Sequence, residues 1–414
     1  MVISASGSAR SDSSTGFDVE RFRSFFPALS DGRWAFFDGP GGTQTPTPVA
    51  DAVATALTAP LSNRGTTSLG ARNAEQMVQA CRSAVADLLG VAPDLVVHGR
   101  SATALNFHLA HAISTQWSAG DEVVVTRLDH DSNVRPWVEA ARRVGAQVRW
   151  VDFDPATGEL TPDAVAEVLS ERTRIVALTA ASNLIGTVPD IAAIAGLAHA
   201  VGAVVYVDGV HYAAHHPVDV SAMGADFFVF SPYKLLGPHC AFVTGRRELL
   251  QALVPDKIEP SSNAVPERFE LGTLPYEQLA GVTAAVDFLA SVSIQRNRRE
   301  SLTGAMVAID HHESRLRRRI EGGVGSLPGV TSYSRAQNRT PTLLFRVEGV
   351  SATSIVSTLG ELGIAVGAGS FYCNAATRVL GLGDDGALRI GLAPYNNDDD
   401  VDRLLDALSA AVRD

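Results

Sequence analysis

Short apolar segments alternate with amphipathic segments along most of the chain, and this alternation restricts the possible folds more than any other feature. Residues 122–126, 174–179 and 204–208 have the composition of buried strands, and helical patterns separate them. Strands that alternate with helices usually pair in parallel, because each helix carries the chain back across the sheet. The sequence therefore predicts an α/β protein with a mostly parallel sheet.

Polar residues follow the predicted strands at the points where the strands end. Thr103, His130 and Asn183 come shortly after such strands, Asp208 ends one, and Lys234 follows the apolar run that precedes it. In open parallel sheets the carboxyl ends of the strands form the crevice where ligands bind. We therefore expect these five side chains to lie around one crevice.

Lys234 lies in the segment 231–239 (SPYKLLGPH), a tight connection between the apolar runs 227–230 and 240–243. An amine in such a connection is partly withdrawn from water, which lowers its pKa and makes it nucleophilic toward a carbonyl. A single loop lysine is more often a solvated charge. Asp208 favours the chemical role, because pyridoxal phosphate requires an acid for its ring nitrogen and a lysine for its aldehyde carbon.

The segment 101–106 (SATALN) is typical of a helix N-terminus, because Ser101 and Thr103 begin an apolar-periodic run. Free backbone N–H groups and the positive end of the helix dipole can hold a phosphate at such a position. A plain capping role for these hydroxyls is an equally good interpretation from the residues alone.

The segments 207–211 (VDGVH) and 230–238 (FSPYKLLGP) resemble the class V aminotransferase family of pyridoxal-phosphate enzymes, in particular its cysteine desulfurase-like branch. The resemblance extends from about residue 36 to the C-terminus. It implies a fold type I PLP-dependent transferase, with a large cofactor-binding domain at 36–290 and a small α+β domain at 291–414. The large domain would contain a mostly parallel seven-stranded sheet flanked by helices. Residues 18–35 are expected to pack on the small domain, and the Ser/Gly-rich residues 1–17 to form a disordered leader.

The same resemblance implies roles for the candidate residues. Lys234 would carry the cofactor as a Schiff base and act as general base, Asp208 would hold the ring nitrogen, and His130 would stack on the ring and move protons. The remaining implied cofactor-binding residues are Ala102, Thr103, Asn183, His211, Ser231, Tyr233 and Thr273. Ala102 and Thr103 would bind the phosphate. Thr273 would contact the phosphate of the neighbouring subunit, which implies a homodimer with shared active sites.

Arg389 lies in an apolar strand pattern, where a buried guanidinium needs an anion. An internal salt bridge would satisfy it. The resemblance of 388–396 (LRIGLAPYN) to the family instead implies that Arg389 binds the substrate α-carboxylate in a two-point contact, with Asn183 on the substrate side.

The segment 369–373 (GSFYC) corresponds to a loop of the Gly-His-His-Cys type in cysteine desulfurases, whose cysteine attacks the substrate sulfur. Tyr372 occupies the position of that cysteine, and Cys373 follows one residue later. Both are predicted to contact the substrate, but the shift counts against persulfide formation on Cys373. Cys81 and Cys240 are expected to be packing residues.

The expected reaction is cleavage of a C–S bond, because sulfur on Cβ is a good leaving group. The predicted substrate is cysteine or a cysteine S-conjugate, and the predicted step is a β-elimination. Alternatives within the family are a cysteine desulfurase using Cys373, an epimerase, an aminotransferase and a decarboxylating oxidative deaminase. A cofactor-binding partner protein without turnover is an alternative of a different class.

Composition disfavours several other classes of protein. The formal net charge is −11 and no basic cluster is present, which argues against nucleic acid and anionic membranes as partners. No apolar run is long enough to span a bilayer, and no metal site is predicted. The three cysteines are widely spaced and odd in number, which favours a reducing cytoplasm.

Overall fold

The structure is a computed structural model that describes residues 17–412. Residues 1–16 of the predicted leader lie outside the described residues, as do the last two residues. Phe17, the final residue of the predicted leader, is buried against the rings of Phe22 and His312. None of the described helices is long and apolar enough to cross a membrane.

The strands are numbered in chain order. They are β1 (Ala35–Phe36), β2 (Val96–Gly99), β3 (Glu122–Thr126), β4 (Gln147–Val151), β5 (Thr173–Thr179), β6 (Val204–Asp208), β7 (Phe227–Phe230), β8 (Ala241–Gly245), β9 (Val330–Ser332), β10 (Thr342–Val347), β11 (Ile364–Ala365), β12 (Gly367–Gly369) and β13 (Ala387–Gly391).

The α-helices are numbered in the same way. They are α1 (Val19–Arg23), α2 (Thr47–Thr58), α3 (Leu69–Leu89), α4 (Ala102–Ser114), α5 (Arg135–Val144), α6 (Pro162–Ala166), α7 (Ile191–Ala200), α8 (Arg247–Ala252), α9 (Tyr276–Ala290), α10 (Arg298–Gly325), α11 (Ala352–Glu361), α12 (Asn374–Val379) and α13 (Asp398–Ala411).

Seven strands form the main sheet in the order β2-β8-β7-β6-β5-β3-β4. Only β8 runs against its neighbours, β2 and β7; the other pairs are parallel. This confirms the predicted α/β architecture with a mostly parallel seven-stranded sheet. The right-handed crossovers that parallel pairing requires account for the helices between the strands.

Both faces of the sheet are buried, because successive side chains of a strand point to opposite sides. On β6, Val205 and Val207 belong to one hydrophobic core and Tyr206 belongs to the other. Helices α3, α7 and α9 contribute to the first core, and α4 and α5 contribute to the second. Polar side chains at strand ends are therefore held between two packed layers.

A second, four-stranded sheet lies in the C-terminal part of the chain in the order β12-β13-β10-β9, and all its pairs are antiparallel. It shares a separate core with α10, α11 and α13. Strand β1 pairs in parallel with β11, so the N-terminal segment is joined to this C-terminal region.

The segment from Asp18 to Leu29 is not one continuous helix. The structure has α1 and then a separate 3-10 turn, Pro27–Leu29. Pro27 causes the interruption, because a proline disfavours helical backbone in the preceding residue. Phe26 accordingly has extended angles, φ −106° and ψ 103°.

Candidate active site

A cavity at the carboxyl ends of β3, β5, β6 and β7 collects most of the predicted site residues. Its walls are formed by Ser101, Ala102, Thr103, His130, Ser132, Thr179, Ala181, Asn183, Asp208, Val210, His211, Ser231, Tyr233 and Lys234. Parallel strands bring their carboxyl ends to one edge of the sheet, which explains why residues so far apart in sequence meet there.

Lys234 ends the 3-10 turn Pro232–Lys234, directly after β7. Strand β8 returns antiparallel to β7, so both ends of this connection are fixed by neighbouring strands. Lys234 is only 7% exposed, and within residues 17–412 its amine makes no hydrogen bond or ion pair. Burial, and to a lesser extent the charge of Arg389, lowers the Lys234 pKa to about 8. Roughly one amine in ten is then uncharged at pH 7.

Asp208 is the last residue of β6 and is almost fully buried. The one hydrogen bond that its carboxyl group makes within the described residues comes from the N–H of Val210 to Oδ1, at 2.9 Å. Burial raises the pKa of this carboxyl, and the charge of Lys234 opposes that shift. A buried carboxylate with so few donors is suited to receive a cationic or N–H group from a ligand.

His130 begins the turn that follows β3. Its Nδ1 accepts the N–H of Ser132 at 3.0 Å, so the neutral ring carries its hydrogen on Nε2. Burial, together with the charges of Lys234 and Arg389, lowers the pKa of His130 to about 4. The ring is therefore neutral across the physiological range and can donate from Nε2.

The buried Asp129 stabilises the turn that carries His130. Its Oδ1 accepts a hydrogen bond from the Asn133 amide at 2.7 Å, and its Oδ2 accepts one from the Thr126 hydroxyl. Burial raises the Asp129 pKa to about 8. The sequence analysis did not identify this residue, because nothing in the pattern distinguishes it from an exposed loop aspartate.

The N-terminus of α4 forms another wall of the cavity. The Ser101 hydroxyl caps the helix by accepting the N–H of Ala104 at 3.2 Å. The N–H groups of Ala102 and Thr103 lie in the first turn, where a helix provides no carbonyl partner. The two roles weighed for this segment are therefore compatible, because the serine caps while the neighbouring N–H groups stay available for an anion.

These observations test whether the cavity fits pyridoxal phosphate. It contains a desolvated amine, a buried carboxylate and a helix N-terminus with free N–H groups; among the described residues the amine has no ion pair and the carboxylate has one hydrogen bond. A pyridine ring with an aldehyde and a phosphate needs these three groups. The residues present fit the cofactor.

His211 lies in the cavity wall and connects it to the second sheet. Its Nε2 lies 2.9 Å from the Thr340 hydroxyl and 3.0 Å from the Thr342 hydroxyl. Its Nδ1 is buried and has no partner within the described residues. Burial and the neighbouring His215 keep the pKa of His211 well below its usual value.

Arg389 on β13 lies beside the cavity but does not form its wall. One terminal nitrogen, Nη1, donates to the Asn183 carbonyl at 3.0 Å, and Nη2 donates to Asp38 Oδ1 at 2.5 Å. Its Cζ lies 3.6 Å from the centre of the Phe371 ring. The internal salt bridge that the sequence left open is therefore present.

The loop from Gly369 to Cys373 is tied to the cavity through Asn183. The Asn183 amide donates to the Phe371 carbonyl at 3.2 Å and accepts the Cys373 thiol at 3.0 Å. Cys373 is buried, and burial raises its pKa to about 12. Tyr372 is 75% exposed. Neither Tyr372 nor Cys373 forms part of the cavity wall.

Thr273 lies outside the cavity, in a separate groove that also contains Ser101 and His239. Its contact with a phosphate in a neighbouring subunit stays a prediction.

The sequence analysis missed several residues around the site. They are the cavity residues Ser101, Ser132, Thr179, Ala181 and Val210, and the two residues on Arg389, Asp38 and Phe371. Ser101 was identified only as a helix cap. Since β5 ends at Thr179, the same strand-end argument that selected Asn183 could have found it.

Comparisons with known proteins agree with this geometry. The profile of the family described as aminotransferase class-V matches residues 35–404. An uncharacterised protein of Mycobacterium tuberculosis is 34% identical over 95% of this chain and 99% of its own length. The aminotransferase-like protein FGM3 of Gibberella zeae is 32% identical over 96% of this chain and 99% of its own. The crystal structure of the cysteine desulfurase CsdA from Escherichia coli superposes with a TM-score of 0.86 at 29% identity, covering 96% of this chain and 99% of that chain.

Proposed function

Because the chain belongs to the aminotransferase class-V family of pyridoxal-phosphate-dependent enzymes, in its cysteine desulfurase-like branch, we propose that it cleaves the C–S bond of cysteine or of a cysteine S-conjugate by β-elimination. The observation that carries this proposal is a contrast between two buried groups. Lys234 has a pKa lowered to about 8, whereas Cys373, whose charge acts on Lys234, has a pKa raised to about 12. The site is therefore better equipped to move a proton than to attack sulfur.

When bound, pyridoxal phosphate withdraws electron density from the Cα of the amino acid attached to it. With the cofactor in place, Lys234 Nζ would take the α-proton, and the sulfur would leave Cβ with the electron pair of the C–S bond. A base with a pKa near the working pH is the most effective for this transfer. The products are a thiol, pyruvate and ammonia, the last two after hydrolysis by water.

Asp208 and His130 support this proton transfer from different positions. The Asp208 carboxylate would hold a proton on the ring nitrogen, since burial leaves it few other donors. His130 stays neutral and donates from Nε2, since Ser132 occupies its Nδ1. Ala102 and Thr103 bind the phosphate with their first-turn N–H groups. Arg389 and Asn183 bind the substrate carboxylate and its surroundings.

We extend the proposal to a cytoplasmic homodimer. Leu271, close to Thr273, is 64% exposed, which fits a surface covered by a second copy. The three cysteines are free thiols, as expected in a reducing compartment. Light scattering on the holoenzyme tests the assembly, and a monomer at micromolar concentration would contradict it.

Cysteine desulfurase activity is the second candidate, favoured by one contact. Cys373 Sγ lies 3.0 Å from Asn183 Oδ1, and Asn183 forms part of the cavity wall. The Escherichia coli relative is named a cysteine desulfurase. In that reaction the Cys373 thiolate would take the substrate sulfur, and the substrate would leave as alanine.

Product analysis on the holoenzyme separates the two reactions. The substrates are L-cysteine, S-methyl-L-cysteine and S-benzyl-L-cysteine, and the products measured are pyruvate, alanine, thiol and sulfide. We expect pyruvate and thiol in equal amounts from the S-conjugates. Alanine from L-cysteine, with no pyruvate from any substrate, would replace the lyase with the desulfurase. An epimer or an aldehyde, with neither pyruvate nor alanine, would contradict both.

A further inference from the structure

We propose that Asp38 is a specificity-determining residue. Its carboxylate occupies the position on Arg389 where a substrate carboxylate would bind, and it thereby sets the affinity of the site for carboxylate ligands. This rests on the proposed function, in which Arg389 is the carboxylate-binding group. Within residues 17–412, the only side-chain hydrogen bond of Asp38 is the one to Arg389. Its hydrogen bond therefore reaches the site through the guanidinium, and its charge in addition acts on Lys234 by raising the pKa of that amine.

The backbone fixes Asp38 next to Arg389. The N–H of Gly391 donates to the Phe37 carbonyl at 2.7 Å, and Asp38 forms an isolated parallel bridge with Gly391. A Cβ added at Gly39 would lie 2.3 Å from the Leu392 carbonyl oxygen. Only glycine allows so close an approach, so the contact between the two segments is built into the main chain.

The two terminal nitrogens of Arg389 already have partners within the protein. Both terminal nitrogens donate to protein oxygens, and the Phe371 ring covers one face of the guanidinium. Nε is buried and has no partner within the described residues. The side chain is only 2% exposed. A substrate carboxylate that contacts Nη2 must therefore take over, or share, the interaction that Asp38 makes.

Sharing is unfavourable, because two carboxylates at one guanidinium repel each other. Replacement is easier. The Asp38 side chain is 43% exposed and can turn into water, whereas Arg389 cannot leave its buried position. A carboxylate that replaces Asp38 keeps the buried cation paired throughout. An uncharged group at the same position could accept the Nη2 hydrogen bond but would leave the buried cation without a compensating charge.

Asp38 thus sets a threshold for the substrate. A ligand must carry a carboxylate, and part of its binding free energy is used to displace the Asp38 carboxylate from Arg389. We expect the wild-type enzyme to bind carboxylate ligands weakly, and removal of the Asp38 charge to strengthen their binding selectively.

The test is equilibrium binding of 3-(methylsulfanyl)propanoate to the holoenzyme by calorimetry. This probe has the carboxylate and thioether of S-methylcysteine but no amino group, so it undergoes no reaction. We expect the Asp38→Asn variant to bind it about tenfold more tightly than the wild type. The uncharged 3-(methylsulfanyl)propanamide should bind the two proteins equally within about twofold.

Asp94→Asn is the matched control, because Asp94 also pairs with an arginine, Arg247, at 2.6 Å, and neither residue contacts Arg389. It should leave probe binding unchanged. Unchanged binding in Asp38→Asn, or an equal gain for the amide, would overturn the proposal. Tighter carboxylate binding in an enzyme that gives no elimination products would instead keep the proposal and contradict only the reaction.

A crystal structure of the wild-type holoenzyme with the bound propanoate provides a second test, which does not depend on the folding of a variant. We expect Asp38 Oδ1 to have moved beyond about 4 Å from Arg389, outside ion-pair distance. A probe carboxylate on Arg389 with Asp38 still in contact would overturn the proposal.

Discussion

The cofactor side and the substrate side of the site are built in different ways. Lys234 and Asp208 lie at the ends of neighbouring strands of one sheet, and both are buried without an ion pair to any residue between 17 and 412. Arg389 comes from the second sheet and is already paired with Asp38. The cofactor side therefore presents charged groups without ion-pair partners among the described residues, whereas on the substrate side Asp38 already occupies the position of the ligand's carboxylate.

This difference teaches where binding energy is available. Unmatched groups gain their full interaction when the cofactor arrives, because nothing must first be displaced. On the substrate side, only the difference between the incoming and the resident carboxylate contributes. We expect the cofactor to bind tightly and the substrate weakly, and four predictions test that comparison.

Lys234→Ala should have the largest effect. It removes the group that holds the cofactor and moves the α-proton, so kcat/KM should fall by at least about 10⁴-fold. Steady-state assay of pyruvate measures this loss. Lys257→Ala is the matched control, because Lys257 is the only other lysine in the sequence and its amine donates to the Ser261 carbonyl. Equal activity of Lys234→Ala and the control would refute the assigned role.

Asp208→Asn should weaken the cofactor side to a smaller degree. An amide cannot keep a proton on the ring nitrogen, so we expect a fall in kcat of about 10²- to 10³-fold while the protein stays folded. The absorbance maximum of the bound cofactor should also shift, which a purely structural effect would not produce. A variant with normal turnover and an unchanged spectrum would remove Asp208 from the mechanism.

The pH dependence of cofactor incorporation tests the Lys234 pKa of about 8. The neutral amine is the reactive form, so the rate for apoprotein should rise about tenfold per pH unit below pH 8 and level off above about pH 8.5. A lysine with its usual pKa would keep rising to pH 9.5. Because the Arg389 charge contributes to lowering this pKa, Arg389→Gln should move the plateau to higher pH.

Cys373→Ser should have the smallest effect if elimination is the reaction. The variant loses the thiol contact with Asn183 but keeps a donor at that position, so we expect kcat/KM for S-methyl-L-cysteine to change by less than about fivefold. Pyruvate formation measures this change. If the variant loses all turnover and the wild-type enzyme forms alanine, Cys373 is instead the nucleophile that takes the substrate sulfur.

The cofactor side was predictable from sequence because strand ends carry positional information. An apolar run that ends in a polar residue identifies one edge of a parallel sheet, and Asp208, Asn183 and Lys234 all follow that rule. The mostly parallel sheet followed from the same alternation. The family resemblance added the individual roles.

The substrate side was less predictable for two physical reasons. Asp38 and Arg389 are 351 residues apart, and no local pattern identifies such a contact. In addition, Phe371 and Tyr372 both have left-handed backbone angles, φ 51° and φ 60°, although neither is a glycine. Sequence propensities do not anticipate that conformation, so the position of the Phe371 ring on Arg389 could not be inferred.

The sequence distance between Asp38 and Arg389 also has a consequence for how the protein is made. The cavity residues lie between Ser101 and Lys234, so that part can fold while the ribosome is still adding the C-terminal sheet. The salt bridge can form only after nearly the whole chain has emerged, since closing so long a loop comes late. We expect a nascent chain to form the cavity that contains Lys234 before it forms the Asp38–Arg389 pair that selects the substrate.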